Sequence, residues 1–154
     1  MSKLPVFYNK TLKLNNVCIR EIVDEDIENL DTVVIQMDNY LRSKGVIPVG
    51  PIIQYMQTYV DKDGEMDVHI QFIRQTNTFL SKVEAPYSTQ PILRVPNCLF
   101  VRFAGEEHHL KYAYDKLNLI SYEEDIPLTG KIFTVFTSKN ESEFSADVFM
   151  EKAE

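Results

Sequence analysis

Apolar positions along this chain change their period several times, and each change predicts an element. A short alternating run, "NVCIREI", reads as a strand. Beyond an acidic stretch, Ile27, Leu30, Val34, Met37 and Leu41 step by 3, 4, 3 and 4 residues, which puts all five on one helical face. Asp24 or Asp26 is placed to cap this helix, and Gly45 to end it in the left-handed region. After "IPVGP" the period falls to two. Ile52, Gln54, Met56 and Thr58 share one face of a strand, and Ile53, Tyr55, Gln57 and Tyr59 the other. "DKDGE" reverses the chain, and "MDVHIQF" is expected to turn Met66, Val68, Ile70 and Phe72 inward, with Asp67, His69 and Gln71 outward.

The same order recurs in the second half. "NCLFVRF" is a leading strand, Leu110, Ala113, Tyr114 and Leu117 mark a helix face, and "IPLTGKIFTVFTS" and "FSADVFME" complete the unit. Gly50 and Gly130 are 80 residues apart, as are Gln54 and Thr134, and Asp67 and Asp147, while Asn16 and Asn97 are 81 apart. Self-similarity at a fixed offset indicates a duplicated unit. The expected fold class is α+β: a duplicated strand-helix-strand-strand unit with about eight antiparallel strands and two main helices on one face. All of 1–154 is read as a single domain, with repeats over about 15–75 and 96–152. Residues 76–95 link them; Pro86, Pro91 and Pro96 exclude a long helix there, and "PILRV" is a candidate extra strand.

These features resemble the GyrI-like ligand-binding family, which includes the effector-sensing domains of multidrug-responsive bacterial transcription activators. The resemblance rests on the duplicated order, on "RFAGEEHHLKYAYDKL" after the second leading strand and on the Gly-then-aromatic strand "GKIFTVF", and spans most of 15–152. It implies a pseudo-two-fold domain with a hydrophobic, aromatic-lined groove between the repeats that takes small and often cationic molecules. Many members that sense lipophilic cations carry a Glu in the strand after the second Gly. Here that position is Thr134, and its counterpart is Gln54. Without a carboxylate the strongest reason to expect a cation is gone, and a neutral or aromatic ligand fits better. Glu21 and Glu106 are the other carboxylates considered, each more simply read as solvated. No helix-turn-helix segment precedes the domain, so a stand-alone sensor or sequestering protein is expected. Tyr55, Tyr114 and Phe136 are the expected apolar contacts to ligand, with Gln54 and Thr134 orienting it by hydrogen bonds. Tyr59, Phe100 and Phe133 are further aromatics that line either a pocket or ordinary core.

Composition narrows the partners. Among 154 residues, 23 acidic and 16 basic side chains give a net charge of −7, which disfavours nucleic acid and anionic membrane. One alternative reading is therefore an interaction or inhibitor module that uses the acidic surface against a basic protein, without a small ligand. A hydrolase on the same fold is the other. No phosphate loop, nucleophile elbow or metal-ligand spacing is present, so no catalytic residue, cofactor or metal is assigned. In "GEEHHL", adjacent His108 and His109 would point about 100° apart on an α-helix, so the cluster reads as a polar first turn. His69 reads as a surface residue. Cys18 and Cys98 lack C-x-x-C spacing and read as buried reduced thiols. With no secretory leader or ~20-residue apolar span, a cytoplasmic location is expected.

Overall fold

A computed structural model describes residues 4–139 and 143–153, apart from the side chain of Lys139. Six antiparallel strands close into a barrel in the order β1-β3-β2-β5-β6-β4. They are β1 (Val6–Ile22), β2 (Pro48–Val60), β3 (Met66–Thr76), β4 (Tyr87–Gly105), β5 (Leu128–Lys139) and β6 (Phe144–Lys152). Helices α1 (Leu30–Ser43) and α2 (Lys111–Glu123) connect β1 to β2 and β4 to β5, each preceded by a short 3-10 segment.

The six strands correct the expected eight, and two asparagines account for the difference. Asn16 (φ 51°) and Asn97 (φ 59°) sit in the left-handed region, which Asn tolerates better than most residues. Asn97 lies at a shift of the β1–β4 register, between Lys10↔Cys98 and Leu12↔Val95, and neither asparagine ends its strand, so the segments before "NVCIREI" and "NCLFVRF" continue into them as the long β1 and β4. The left-handed residue also flips the alternation. Leu12 and Leu14 before Asn16, and Val17 and Ile19 after it, all reach the same interior cluster, as do Leu93, Val95 and Cys98 around Asn97. "PILRV" is thus the first half of β4. Of the β4 prolines, Pro96 falls where the β1–β4 register shifts, between Lys10↔Cys98 and Leu12↔Val95.

Pairing is symmetric at both seams between the halves. On the β2–β5 seam Gln54 lies opposite Thr134, its counterpart 80 residues on. On the β1–β4 seam Lys13 lies opposite Arg94, 81 residues on.

Ile53, Tyr55, Ile73 and Phe133 join the barrel interior, with Val135 and Phe149 packed against it. Both helices lie on the outer face. Val33, Met37 and Leu41 of α1 pack with Cys18 and Phe72, while Ala113 and Leu117 of α2 pack with Leu99, Val101, Val148 and Met150. Val33, not Ile27, completes the first helix face: Ile27 lies in the 3-10 segment Asp24–Asn29, where the helical spacing no longer applies, and is 46% exposed. Asp26 accepts the backbone N–H of Val23 at 3.0 Å and pairs with Arg20, and Gly45 (φ 87°) follows the C-terminus of α1. Met66 and Val68 are exposed rather than inward, because the outer end of the β2–β3 hairpin extends past the helix that covers Phe72.

Candidate functional site

The five residues expected to bind ligand divide between two faces. Gln54, Thr134 and Phe136 are on the outer face of β2 and β5, since residues two apart share a face and Gln54 pairs with Thr134. Tyr114 reaches them from α2: its Oη lies 2.7 Å from Thr134 Oγ1, and either hydroxyl can donate. Tyr55 is on the opposite face, in the barrel interior, 5.0 Å ring to ring from Phe133.

Thr134 is only 1% exposed, and Tyr114 is the polar neighbour that satisfies it. Burial pushes the Tyr114 phenol above its ordinary pKa, an effect that the Thr134 bond partly opposes. Phe136 packs edge-on to Phe144 at 6.1 Å. Gln54 is half-buried. Symmetry places Val34 of α1 where α2 has Tyr114, 80 residues apart, so no equivalent hydroxyl reaches Gln54. The two halves of the face are alike in shape but unlike in chemistry.

A second polar set occupies the barrel end beneath that face. Glu21 Oε1 lies 2.6 Å from His69 Nε2, its other oxygen accepts from the Gln71 amide, and the His69 ring stands edge-on to Tyr55 at 5.5 Å. His69 therefore turns toward the interior side of β3, correcting its reading as a plain surface residue; Ile73 on the same face is buried. Tyr55 donates to Gln57 Oε1 at 2.8 Å, and burial, followed by the charges of Glu151 and Glu21, raises its pKa. Glu21 is thus engaged by two partners. Glu106 is exposed, near His108 and His109.

A partly open cleft of about 1250 Å³ lies elsewhere, between α2, the start of β1 and the end of β4. Its walls include Val6, Phe103, Leu119 and Ile120, with Tyr8, Tyr112 and Asp115 as polar groups. None of the five expected residues lines it. Sequence reading passed over these positions because Tyr112, Asp115 and Leu119 fall on the helix side that the apolar period marks as solvated.

Cys18 and Cys98 are free and buried, and burial pushes both thiols up to about 11. Such thiols are not activated nucleophiles. No helix among the described residues is long and apolar enough to cross a membrane.

No family model matches the chain, and no curated protein matches it. Solved structures do. EcmrR, in a complex with DNA, superposes with a TM-score of 0.68 at 15% identity, covering 99% of this chain and 57% of its own. The chain thus spans little more than half the length of that protein. SAV2435 bound to tetraphenylphosphonium gives 0.54 at 10% identity over 99% of this chain and 94% of its own. A protein described as a hydrolase from Listeria innocua gives 0.55 at 12% identity over 98% and 92%. At these identities the likeness is one of fold, and it covers both halves of the chain together. The resemblance read from the sequence holds at that level: the chain has the GyrI-like fold.

Proposed function

We propose that this chain binds a small hydrophobic or aromatic molecule on the outer face between α1 and α2, over the Gln54–Thr134 pair. The observation that carries this reading is the shared fold with SAV2435, a protein bound to tetraphenylphosphonium, over 99% of this chain. The chemistry of the face supports it. Gln54 offers both a donor and an acceptor, Tyr114 and Phe136 offer aromatic surface, and Thr134 offers a hydroxyl once Tyr114 moves aside. With Thr134 fully covered, ligand entry requires Tyr114 to change rotamer, so the resting site is closed by a side chain.

No free carboxylate is built into the proposed contacts. Asp38, the half-buried carboxylate of α1, is held by Arg74 through two bonds of 2.9 Å. A neutral ligand, or a cation bound only through aromatic faces, suits such a site. The hydrolase reading has weaker support, because Thr134 presents a hydroxyl bonded to a phenol, with no base supplied by Tyr114.

The test is a thermal-shift and fluorescence titration of the chain with lipophilic compounds that include tetraphenylphosphonium. Saturable stabilisation, lost in Gln54→Ala and Tyr114→Ala but retained in Leu119→Asp, supports the site between the helices. Loss in Leu119→Asp alone would move the ligand to the cleft along α2, and no stabilisation by any compound would overturn the reading.

A further inference from the structure

Beyond the ligand-binding face, Glu106, His108 and His109 converge at the approach to α2. α-Helical spacing would point the two imidazoles apart, but the backbone here is not α-helical. Glu106 is extended (φ −76°, ψ 136°), and Glu107–His109 forms a single 3-10 turn, closed by the His109 N–H donating to the Glu106 carbonyl at 2.9 Å. A 3-10 turn holds three residues, so Glu106 and His109 come onto one side, and the extended cap swings the Glu106 carboxylate toward His108 as well.

Glu106 Oε2 lies 3.4 Å from His108 Nε2 and 3.8 Å from His109 Nδ1, and all three donor atoms are within 4.8 Å of one another. Around tetrahedral zinc, with bonds of about 2.0–2.1 Å, neighbouring ligand atoms are roughly 3.3 Å apart. The Glu106–His108 distance already matches that edge, and the others exceed it by amounts that side-chain rotation can close. These are exposed or half-exposed side chains, free to make that adjustment.

We propose that Glu106, His108 and His109 form a binding site for a divalent transition-metal ion of the imidazole-seeking class, with zinc(II) as its representative. Two imidazole nitrogens and one carboxylate oxygen are a recurrent three-ligand set for zinc, and they leave a fourth position for solvent or for a ligand. The net charge of −7 favours a cation at the surface. His109 also lines the cleft beside α2, so the ion would sit at the rim of that space.

Metal-stripped full chain titrated with zinc sulfate against a chromogenic chelator tests this proposal. One zinc per chain is expected. Losing a group that only hydrogen-bonds to a zinc ligand already weakens a zinc site about 10–100-fold, so His108→Ala, His109→Ala and Glu106→Gln should each weaken binding by at least ~10-fold. These positions are outside the core, and circular dichroism checks that each variant folds. In nitrogen-15 spectra, the ring signals of His108 and His109 should shift on adding zinc while those of His69 stay in place. Absence of binding overturns the proposal, as does unchanged binding in the triple variant, which would assign the metal to Glu21 and His69 or to another group.

Discussion

Tyr114 Oη and Thr134 Oγ1 meet at 2.7 Å across the α2–β5 interface, so the buried Thr134 hydroxyl has a side-chain partner. Tyr114→Phe strands the Thr134 hydroxyl, which is 1% exposed, and should cost about 1–3 kcal/mol in urea denaturation. Adding Thr134→Val removes the orphaned group, so the double variant should recover part of that loss. Equal, additive losses would show that the bond contributes nothing of its own.

Ligand charge offers a separate check. With Gln54 and Thr134 at the centre of the proposed site and Asp38 already paired with Arg74, affinity should depend on aromatic area more than on charge. Tetraphenylphosphonium and the neutral triphenylphosphine oxide should differ by less than ~10-fold in Kd by fluorescence titration, or about 1.4 kcal/mol. A much larger preference for the cation would require a carboxylate within reach.

Both thiols give a pH signature. Folded Cys18 and Cys98 titrate at about 11, whereas an unfolded thiol titrates near ~8.5. At pH 8 roughly a quarter of unfolded thiols are ionised against ~0.1% of folded ones, so a thiol reagent should label the native chain at least ~100-fold more slowly. The sign for stability follows. Between about 8.5 and about 11 the unfolded chain gives up protons that the folded chain keeps, so stability should fall as pH rises through that window. Cys18→Ala/Cys98→Ala should flatten the slope, read from denaturation midpoints across the series.

Asn97 tests the bulge that joins the two halves of β4. At φ 59° an alanine is strained, so Asn97→Ala should cost ~1–2 kcal/mol, whereas Asn97→Gly should be close to neutral. Equal effects of the two would show that side-chain bonding, not backbone conformation, selects asparagine here.

The sequence made local order legible where one period persisted. Leu30, Val34, Met37 and Leu41 belong to the buried side of α1 as their spacing requires, and Gly45 ends that helix. Legibility failed where the period broke. Ile27 kept the helical spacing but fell in a 3-10 segment, and Asn16 and Asn97 reversed strand alternation, which hid the continuity of β1 and β4. Of the positions expected to bind ligand, Gln54, Thr134, Tyr114 and Phe136 share the outer face, but Tyr55 does not, because adjacent strand residues point to opposite sides. That Tyr114 and Thr134 would bond to each other was beyond reach, since their 20-residue separation says nothing of the rotamer that joins them. The Glu106, His108 and His109 cluster was missed for a related reason: its convergence depends on a 3-10 turn, and the residue pattern implied an α-helix.

Closure of the barrel also limits how this molecule can move. The halves are stitched twice, along β2–β5 and again along β1–β4, so no hinge lets them part like a clamshell. At the proposed site, a guest entering between the helices would be admitted by side chains rotating over a stiff floor, as a turnstile admits without moving its frame. Rates of capture should then respond to the bulk of residue 114 far more than to loosening either seam.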